Sequence, residues 1–272
     1  RRDDKIWNKT GGIIMIKIGI AGAAGKMGST IASLCSKEND FKITLLTEMQ
    51  GHKTIGTEVH GCKITDNLKD NVNNIDVFID FTTPQATIDS LKILKIAKKP
   101  VVIGTTGFKD NELNEIKNIS FEIPIVLSSN YSIGINVMLK LLKEAVKIIK
   151  DDYDIDIVES HHRMKKDAPS GTAITLAKVI LEEKKLDFNK NVIYTRQGRD
   201  NERPRDQIGI FAVRGGGVIG EHTIIMASAG DKIEIKHTAF SRETFAAGAI
   251  KAARFIINQK PGLYSMKEVL GI

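Results

Sequence analysis

Two cysteines, Cys35 and Cys62, are all that 272 residues contain, and neither sits in a ligand spacing. That scarcity argues against a disulfide framework and against a metal cluster, and it leaves both thiols as apolar fillers. No apolar run approaches the roughly 20 residues needed to cross a bilayer. The chain opens on Arg1, Arg2, Asp3 and Asp4 instead of the basic-then-apolar start of a secretory signal. A cytoplasmic protein with no membrane contact is therefore expected. Residues 1–14 also lack any periodic pattern, and they read as a leader or remnant outside a fold that begins at Met15. Aromatic residues are missing from between the lysines: Lys92, Lys95, Lys98 and Lys99 are strung along a helical stretch without them. The formal charge of +7 thus points away from nucleic acid and toward a field that gathers small polyanions, such as a dinucleotide or a dicarboxylate.

What is present is ample for folding. With 42% hydrophobic residues the chain can form one large or two ordinary domains, each with its own core. Residues 16–21 are β-rich, and Gly22, Ala23, Ala24, Gly25, Lys26, Met27 and Gly28 turn that strand into a helical stretch over 29–37. Strand, glycine turn and helix make a dinucleotide fingerprint, in which a pyrophosphate sits at the helix N-terminus. A second strand over 41–47 ends in Glu48, twenty residues after Gly28, where an acid should accept the adenosine ribose hydroxyls.

Further strands at 75–81, 100–107 and 123–130 alternate with helices near 85–97 and from about 110. That alternation predicts a parallel sheet of Rossmann type, with ligands outside the strand carboxyl ends. Those ends are the glycine turn, Glu48, Phe81, the run Gly104, Thr105 and Thr106, and the run Ser128, Ser129, Asn130 and Tyr131. The small residues at Gly104 to Thr106 would let a flat ring such as a nicotinamide approach the backbone.

From Ile133 to Lys150 a long amphipathic helix is expected, with Val137, Leu141, Leu142, Ala145, Ile148 and Ile149 as core positions. Beyond a helix ending near Lys185, strands dominate at 192–195, 207–213, 218–228 and 232–239, which predicts an α+β substrate domain on an open, mixed sheet. Such a sheet has edges and a face to cover, so a homotetramer is expected. A last helix, N-capped by Ser241 with Glu243 in its first turn, would pack back on the first domain. The predicted division is a dinucleotide-binding domain over 15–130 and 241–272, and a substrate-binding and oligomerisation domain over 131–240.

The chemistry concentrates in residues 159–172. A strand over 153–159 delivers His161 and His162 to opposite sides of the chain. Arg163, Lys165 and Lys166 follow, and then Pro169, Ser170, Gly171 and Thr172 read as a helix start with unfilled N–H groups. The combination is an anion trap with a proton source.

From Met15 to its C-terminus the sequence resembles the 4-hydroxy-tetrahydrodipicolinate reductase (dihydrodipicolinate reductase) family. The matching motifs are the glycine turn over 22–28, Asp80 to Thr82, Gly104 to Phe108, Ser129 to Met138, Glu159 to Arg163 with Lys165 to Thr172, and Gly220 to Thr223. The resemblance implies reduction of a cyclic, unsaturated dicarboxylate by NADH or NADPH in lysine and diaminopimelate synthesis. It places the general acid on His161, a second catalytic cation on Lys165, and carboxylate binding on His162, Lys165, Gly171 and Thr172. A conjugated imine that accepts hydride must then be protonated, which suits an imidazole near its own pKa.

One position departs from the family pattern. Met49, not a basic residue, follows Glu48, and a carboxylate facing the ribose repels a 2′-phosphate. NADH is the expected preference, with Lys53 or His52 able to rescue NADPH use. A nucleotide-sensing regulator would need the fingerprint but has no use for the His and Lys array. A semialdehyde dehydrogenase would need a thiol with a neighbouring base, which neither cysteine has in sequence.

Overall fold

The structure, a computed structural model, describes residues 15–198 and 202–272. Residues 1–14, and with them their reading as a leader, lie outside the described residues. The chain divides into two compact units: one runs to Ser132 and resumes at Arg242, and the other spans Ile133–Ser241.

The first unit begins with β1 (Ile16–Ala21), α1 (Lys26–Cys35), β2 (Phe41–Thr47), the short β3 (Glu58–Val59) and β4 (Cys62–Thr65), α2 (Leu68–Asn71) and β5 (Val77–Asp80). It continues through α3 (Pro84–Ile96), β6 (Val101–Ile103), α4 (Asp110–Ser120) and β7 (Pro124–Leu127). Ile16, Ile18 and Ile20 alternate with Lys17 and Gly19, yet almost the whole of β1 is buried, as expected of a parallel strand covered on both faces. α3 starts with Pro84 at its first position, where the missing N–H costs nothing.

The second unit opens with α5 (Ile133–Ile149), then β8 (Asp154–His161), α6 (Gly171–Lys184), α7 (Phe188–Asn191), β9 (Val192–Ile193), β10 (Ile208–Arg214), β11 (Gly220–Ala227) and β12 (Lys232–Ala239). The chain then returns to the first unit with α8 (Glu243–Ile256), β13 (Gly262–Tyr264) and α9 (Met266–Leu270).

The first unit's eight strands lie in the order β13-β7-β6-β5-β1-β2-β4-β3, parallel except for the β3–β4 pair. β1 is the switch point, with β2 on one side and β5 on the other, and such a crevice is where doubly wound sheets bind nucleotides. The second sheet has the order β12-β11-β8-β10-β9, mixed in direction, with α5 and α6 against one face. α8 fills the first unit's core through Ala246, Ala249, Ile250 and Ala253. Its Arg254 forks onto the fully buried Asp40 at 2.7 and 2.8 Å.

Two expectations are corrected here. α5 buries only part of the expected set: Leu142 and Ile149 are inside as expected, joined by Ile135, Met138 and Val146, while Val137, Leu141 and Ile148 are exposed. The helix is apolar round most of its circumference, so period alone does not choose the buried stripe. α8 begins one residue later than its sequence implies, with Arg242 instead of Ser241 at the N-cap position.

Candidate active site

The first unit gathers its predicted residues at the strand carboxyl ends. Gly22 adopts φ +62°, a backbone that a side chain would strain, and the Gly25 N–H donates back to its carbonyl at 2.8 Å. A Cβ on Gly28 would sit 2.1 Å from that same carbonyl oxygen, so glycine is required for α1 to lie against the turn. The first α1 hydrogen bond runs from Ser29 to Gly25, which leaves the N–H groups of Lys26, Met27 and Gly28 ahead of the helical ladder. These residues fit a dinucleotide: a cradle closed to any Cβ, with donors at the end of a ten-residue helix.

Glu48 reaches the same turn. Its Oε1 accepts from the Ala24 N–H at 2.8 Å and its Oε2 from the Met49 N–H at 3.3 Å, so the carboxylate is fixed at the mouth of the crevice. A cavity of about 620 Å³ opens beside it. Its lining includes Gly22, Thr82 and the acidic residues Glu48, Asp66 and Asp89, with no lysine or arginine among the described residues.

The remaining turns differ from expectation in how they work. The flat ring against Gly104 is that of Phe81: a Cβ at Gly104 would fall 2.0 Å from it. Thr105 is buried, and its hydroxyl meets that of Thr87 at 2.8 Å, lies 3.4 Å from the Asp80 carboxylate oxygen Oδ1, and accepts the Thr82 N–H at 3.0 Å. Burial pushes the Asp80 carboxyl up, and its Oδ2 has no hydrogen-bond partner among the described residues. Tyr131 is wholly buried, donates its hydroxyl to the Ile103 carbonyl at 2.8 Å and packs on Phe81 with ring centroids 5.1 Å apart. Its side chain therefore shapes the turn from behind and is closed to a ligand. Thr106 and Ser129 are exposed, and Ser128 Oγ donates to the Asn130 carbonyl at 3.0 Å.

The second unit builds a different kind of site. β8 alternates in burial, and Glu159 and His161, two apart, share its inner face. Glu159 is fully buried, and its Oε2 lies 2.5 Å from His161 Nδ1. Arg214 forks onto the same carboxylate with Nη1 to Oε2 at 2.8 Å and Nη2 to Oε1 at 2.7 Å, and the Ser170 N–H donates to Oε1 at 3.0 Å. Burial alone would push this carboxyl up; the Arg214 fork, then His161 and the Ser170 N–H, overcome it and hold it below the usual range. An ionised carboxylate only accepts, so His161 Nδ1 carries a hydrogen and Nε2 is the atom that gains or loses the other. Burial draws His161 below its ordinary value, against Glu159, which raises it.

Ser170 caps α6 by accepting the Ala173 N–H at 3.2 Å, and its hydroxyl meets His222 Nε2 at 3.1 Å. Burial, and then the neighbouring His161, bring His222 down to about 4, so it is a neutral wall of the site near pH 7. The first α6 hydrogen bond runs from Ile174 to Ser170, and the N–H groups of Gly171 and Thr172 precede it. Lys165, on the loop between, pairs with Asp167 at 2.9 Å. His162 is half-buried, and its buried Nδ1 has no hydrogen-bond partner among the described residues. His161, His162, Lys165, Gly171 and Thr172 thus all fall in the second unit, and every predicted nucleotide residue falls in the first.

Glu159, Ser170 and His222 lie inside the motifs that carry the resemblance but were given no role of their own, and Arg214 was not singled out by sequence. The i, i+2 spacing of Glu159 and His161 on one strand was the available signal. Both thiols are poor nucleophiles: burial pushes Cys35 up to about 12 and raises Cys62. Among the described residues, no helix is long and apolar enough to cross a membrane.

Comparison with known proteins covers almost the whole chain. Residues 16–131 match the family model described as dihydrodipicolinate reductase, N-terminus, and residues 134–270 match that described as dihydrodipicolinate reductase, C-terminus. The 4-hydroxy-tetrahydrodipicolinate reductases of Geotalea uraniireducens and Geobacter sulfurreducens are each 41% identical to it, over 95% of this chain and 100% of theirs. Among solved structures, dipicolinate-bound dihydrodipicolinate reductase from Paenisporosarcina sp. TG-14 superposes with TM-score 0.75 at 25% identity, covering 94% of this chain and 99% of that one.

Proposed function

The chain belongs to the dihydrodipicolinate reductase family, an oxidoreductase that reduces the dihydrodipicolinate substrate with a pyridine nucleotide in lysine and diaminopimelate synthesis, and from that premise we propose how its residues divide the work. The first unit is the dinucleotide-binding domain. The turn from Gly22 to Met27, with the N–H groups that open α1, holds the pyrophosphate, and Glu48, Phe81, Gly104 to Thr106 and Ser128 to Tyr131 frame the rest. When bound, the nicotinamide supplies the hydride.

The second unit supplies the proton and holds the dicarboxylate. The observation that carries this reading is the His161 imidazole: it is tied by Nδ1 to a buried carboxylate, and its Nε2 lies beside Gly220, where a Cβ would come within 3.1 Å. That arrangement leaves Nε2 to protonate the reduced carbon centre. Lys165 is the second catalytic cation and, with His162 and the N–H groups of Gly171 and Thr172, binds the two carboxylates and fixes the ring. The protein acts in the cytoplasm.

NADH is the preferred nucleotide. Three carboxylates and no cation line the cavity beside Glu48, and a 2′-phosphate there would meet only like charge. Lys53 is exposed and His52 is engaged with Thr54 at 2.7 Å, so neither belongs to that lining. Titrating the protein with each nucleotide tests this: NADH should bind at least tenfold more tightly at low salt, a difference of about 1.4 kcal/mol, and tighter NADPH binding would overturn it.

The protein assembles as a homotetramer through the open face of the second sheet. Val213 on β10 is 51% exposed, Phe211 lies beside it on the same outer face, and Val158 on β8 and Ile225 on β11 continue that face. A sheet face of that composition is stabilised by burial against another copy.

A further inference from the structure

We infer that Arg214 and Glu159 are positioning residues for the reduction, a buried ion pair that aims His161 and anchors the loop carrying Lys165. This rests on His161 being the proton source. Glu159 accepts from four directions: both Nη atoms of Arg214, the Ser170 N–H and His161 Nδ1. The imidazole is thereby locked in one tautomer, with its ring plane set by a carboxylate that is itself immobile. The same guanidinium donates from Nη2 to the Asp167 carbonyl at 2.7 Å, and Asp167 is the residue whose carboxylate pairs with Lys165 at 2.9 Å. One side chain therefore fixes both the acid and the loop that presents the second cation. Register explains how residues 55 apart meet: β10 runs parallel to β8 and sets Arg214 level with His161 and Ala212 level with Glu159.

The pair also tunes the acid, and its two halves act in opposite senses. The charged and titratable groups around His161 are Glu159 on β8, Lys165 and Asp167 on the following loop, Arg214 on β10, and His222 on β11 at 5.2 Å between ring centroids, with His237 beyond it on β12. Glu159 favours the imidazolium, whereas Lys165 and Arg214 oppose it. A general acid works only while protonated, so activity falls as pH rises through its pKa. Removing the carboxylate should bring that fall to lower pH, and removing the guanidinium should move it to higher pH.

The test is the pH profile of kcat/KM for Glu159→Gln and Arg214→Gln, with NADH dissociation constants measured alongside and His161→Gln as the reference. We expect kcat to fall roughly tenfold to a hundredfold in each, part of the ~10²–10⁴ that a positioned acid supplies, with NADH binding unchanged. The alkaline limb should shift down for Glu159→Gln and up for Arg214→Gln. Limbs that stay in place, or that move the same way in both, would overturn the inference while leaving His161 in its role, provided His161→Gln is inactive. A fully active His161→Gln would remove the proton source and the inference together. Should Glu159→Gln not fold, Glu159→Asp keeps the charge but shortens the reach: kcat should drop with NADH binding intact, and an unaltered kcat would count against the pair.

Discussion

The two units carry functional groups made of different materials. In the first unit, the groups proposed to hold the nucleotide are mainly backbone N–H donors exposed by glycines, with Glu48 beside them, and the side chains behind them, Tyr131, Phe81 and Thr105, are packing that shapes the turns. In the second, the working groups are side chains held by a buried ion pair and a helix cap. A nucleotide common to many enzymes is met by backbone geometry that a few glycines make possible, whereas a proton transfer requires one atom with a suitable pKa. Damage to the first half should therefore act through shape and binding, and damage to the second through protonation and rate.

The largest expected effect sharpens that contrast. His161→Gln should lower turnover by about 10²–10⁴ while NADH binding, measured by titration, is unchanged. A variant that keeps its rate would place the proton source elsewhere.

The next effect is on stability in acid. His222 has a folded-state pKa of about 4, against about 6.5 for a free imidazole. The unfolded chain therefore binds more protons between those values, and stability is full above about 6.5 and declines as pH falls toward 4. The shift corresponds to roughly 3 kcal/mol at most. Urea unfolding at pH 7 and pH 4.5 should show the loss, and His222→Gln should flatten it; an equal slope in both would contradict the account. Carboxylates held low, such as Glu159, add their own loss, which begins near the ordinary carboxylate pKa of about 4.5 and continues below it.

A smaller effect tests the first half. Gly28→Ala puts a methyl 2.1 Å from the Gly22 carbonyl oxygen, so α1 must move off the turn. Overpacking of this kind costs about 1–3 kcal/mol, and NADH affinity should fall while the alkaline limb of the pH profile stays put. A shifted limb would blur the division between the two halves.

Most of the elements were legible in sequence because their signals are local. The β-rich run before Gly22, Pro84 at a helix start and the alternation along β8 each follow from residues a few positions apart. The second unit's strands and its mixed sheet could likewise be read from their patterns. What was hidden depends on partners distant in the chain. Arg214 meets Glu159 only through the β8–β10 register, and Tyr131 is sealed by β6 and β7 carbonyls that its own neighbours do not reveal. α5 was ambiguous for another reason: with Val137, Leu141 and Ile148 as apolar as Met138, Leu142 and Val146, only the sheet beneath decides which stripe is inside. The same residues that misled the choice of face are left exposed.

The most direct test is to follow NADH absorbance in the presence of the purified protein while its substrate is generated in situ from pyruvate and aspartate semialdehyde by a separate synthase. The account predicts rapid oxidation that requires the synthase and slows as pH rises through the titration of one group. No oxidation with either nucleotide, while both still bind, would contradict it and leave the second unit's histidines as a binding site without chemistry.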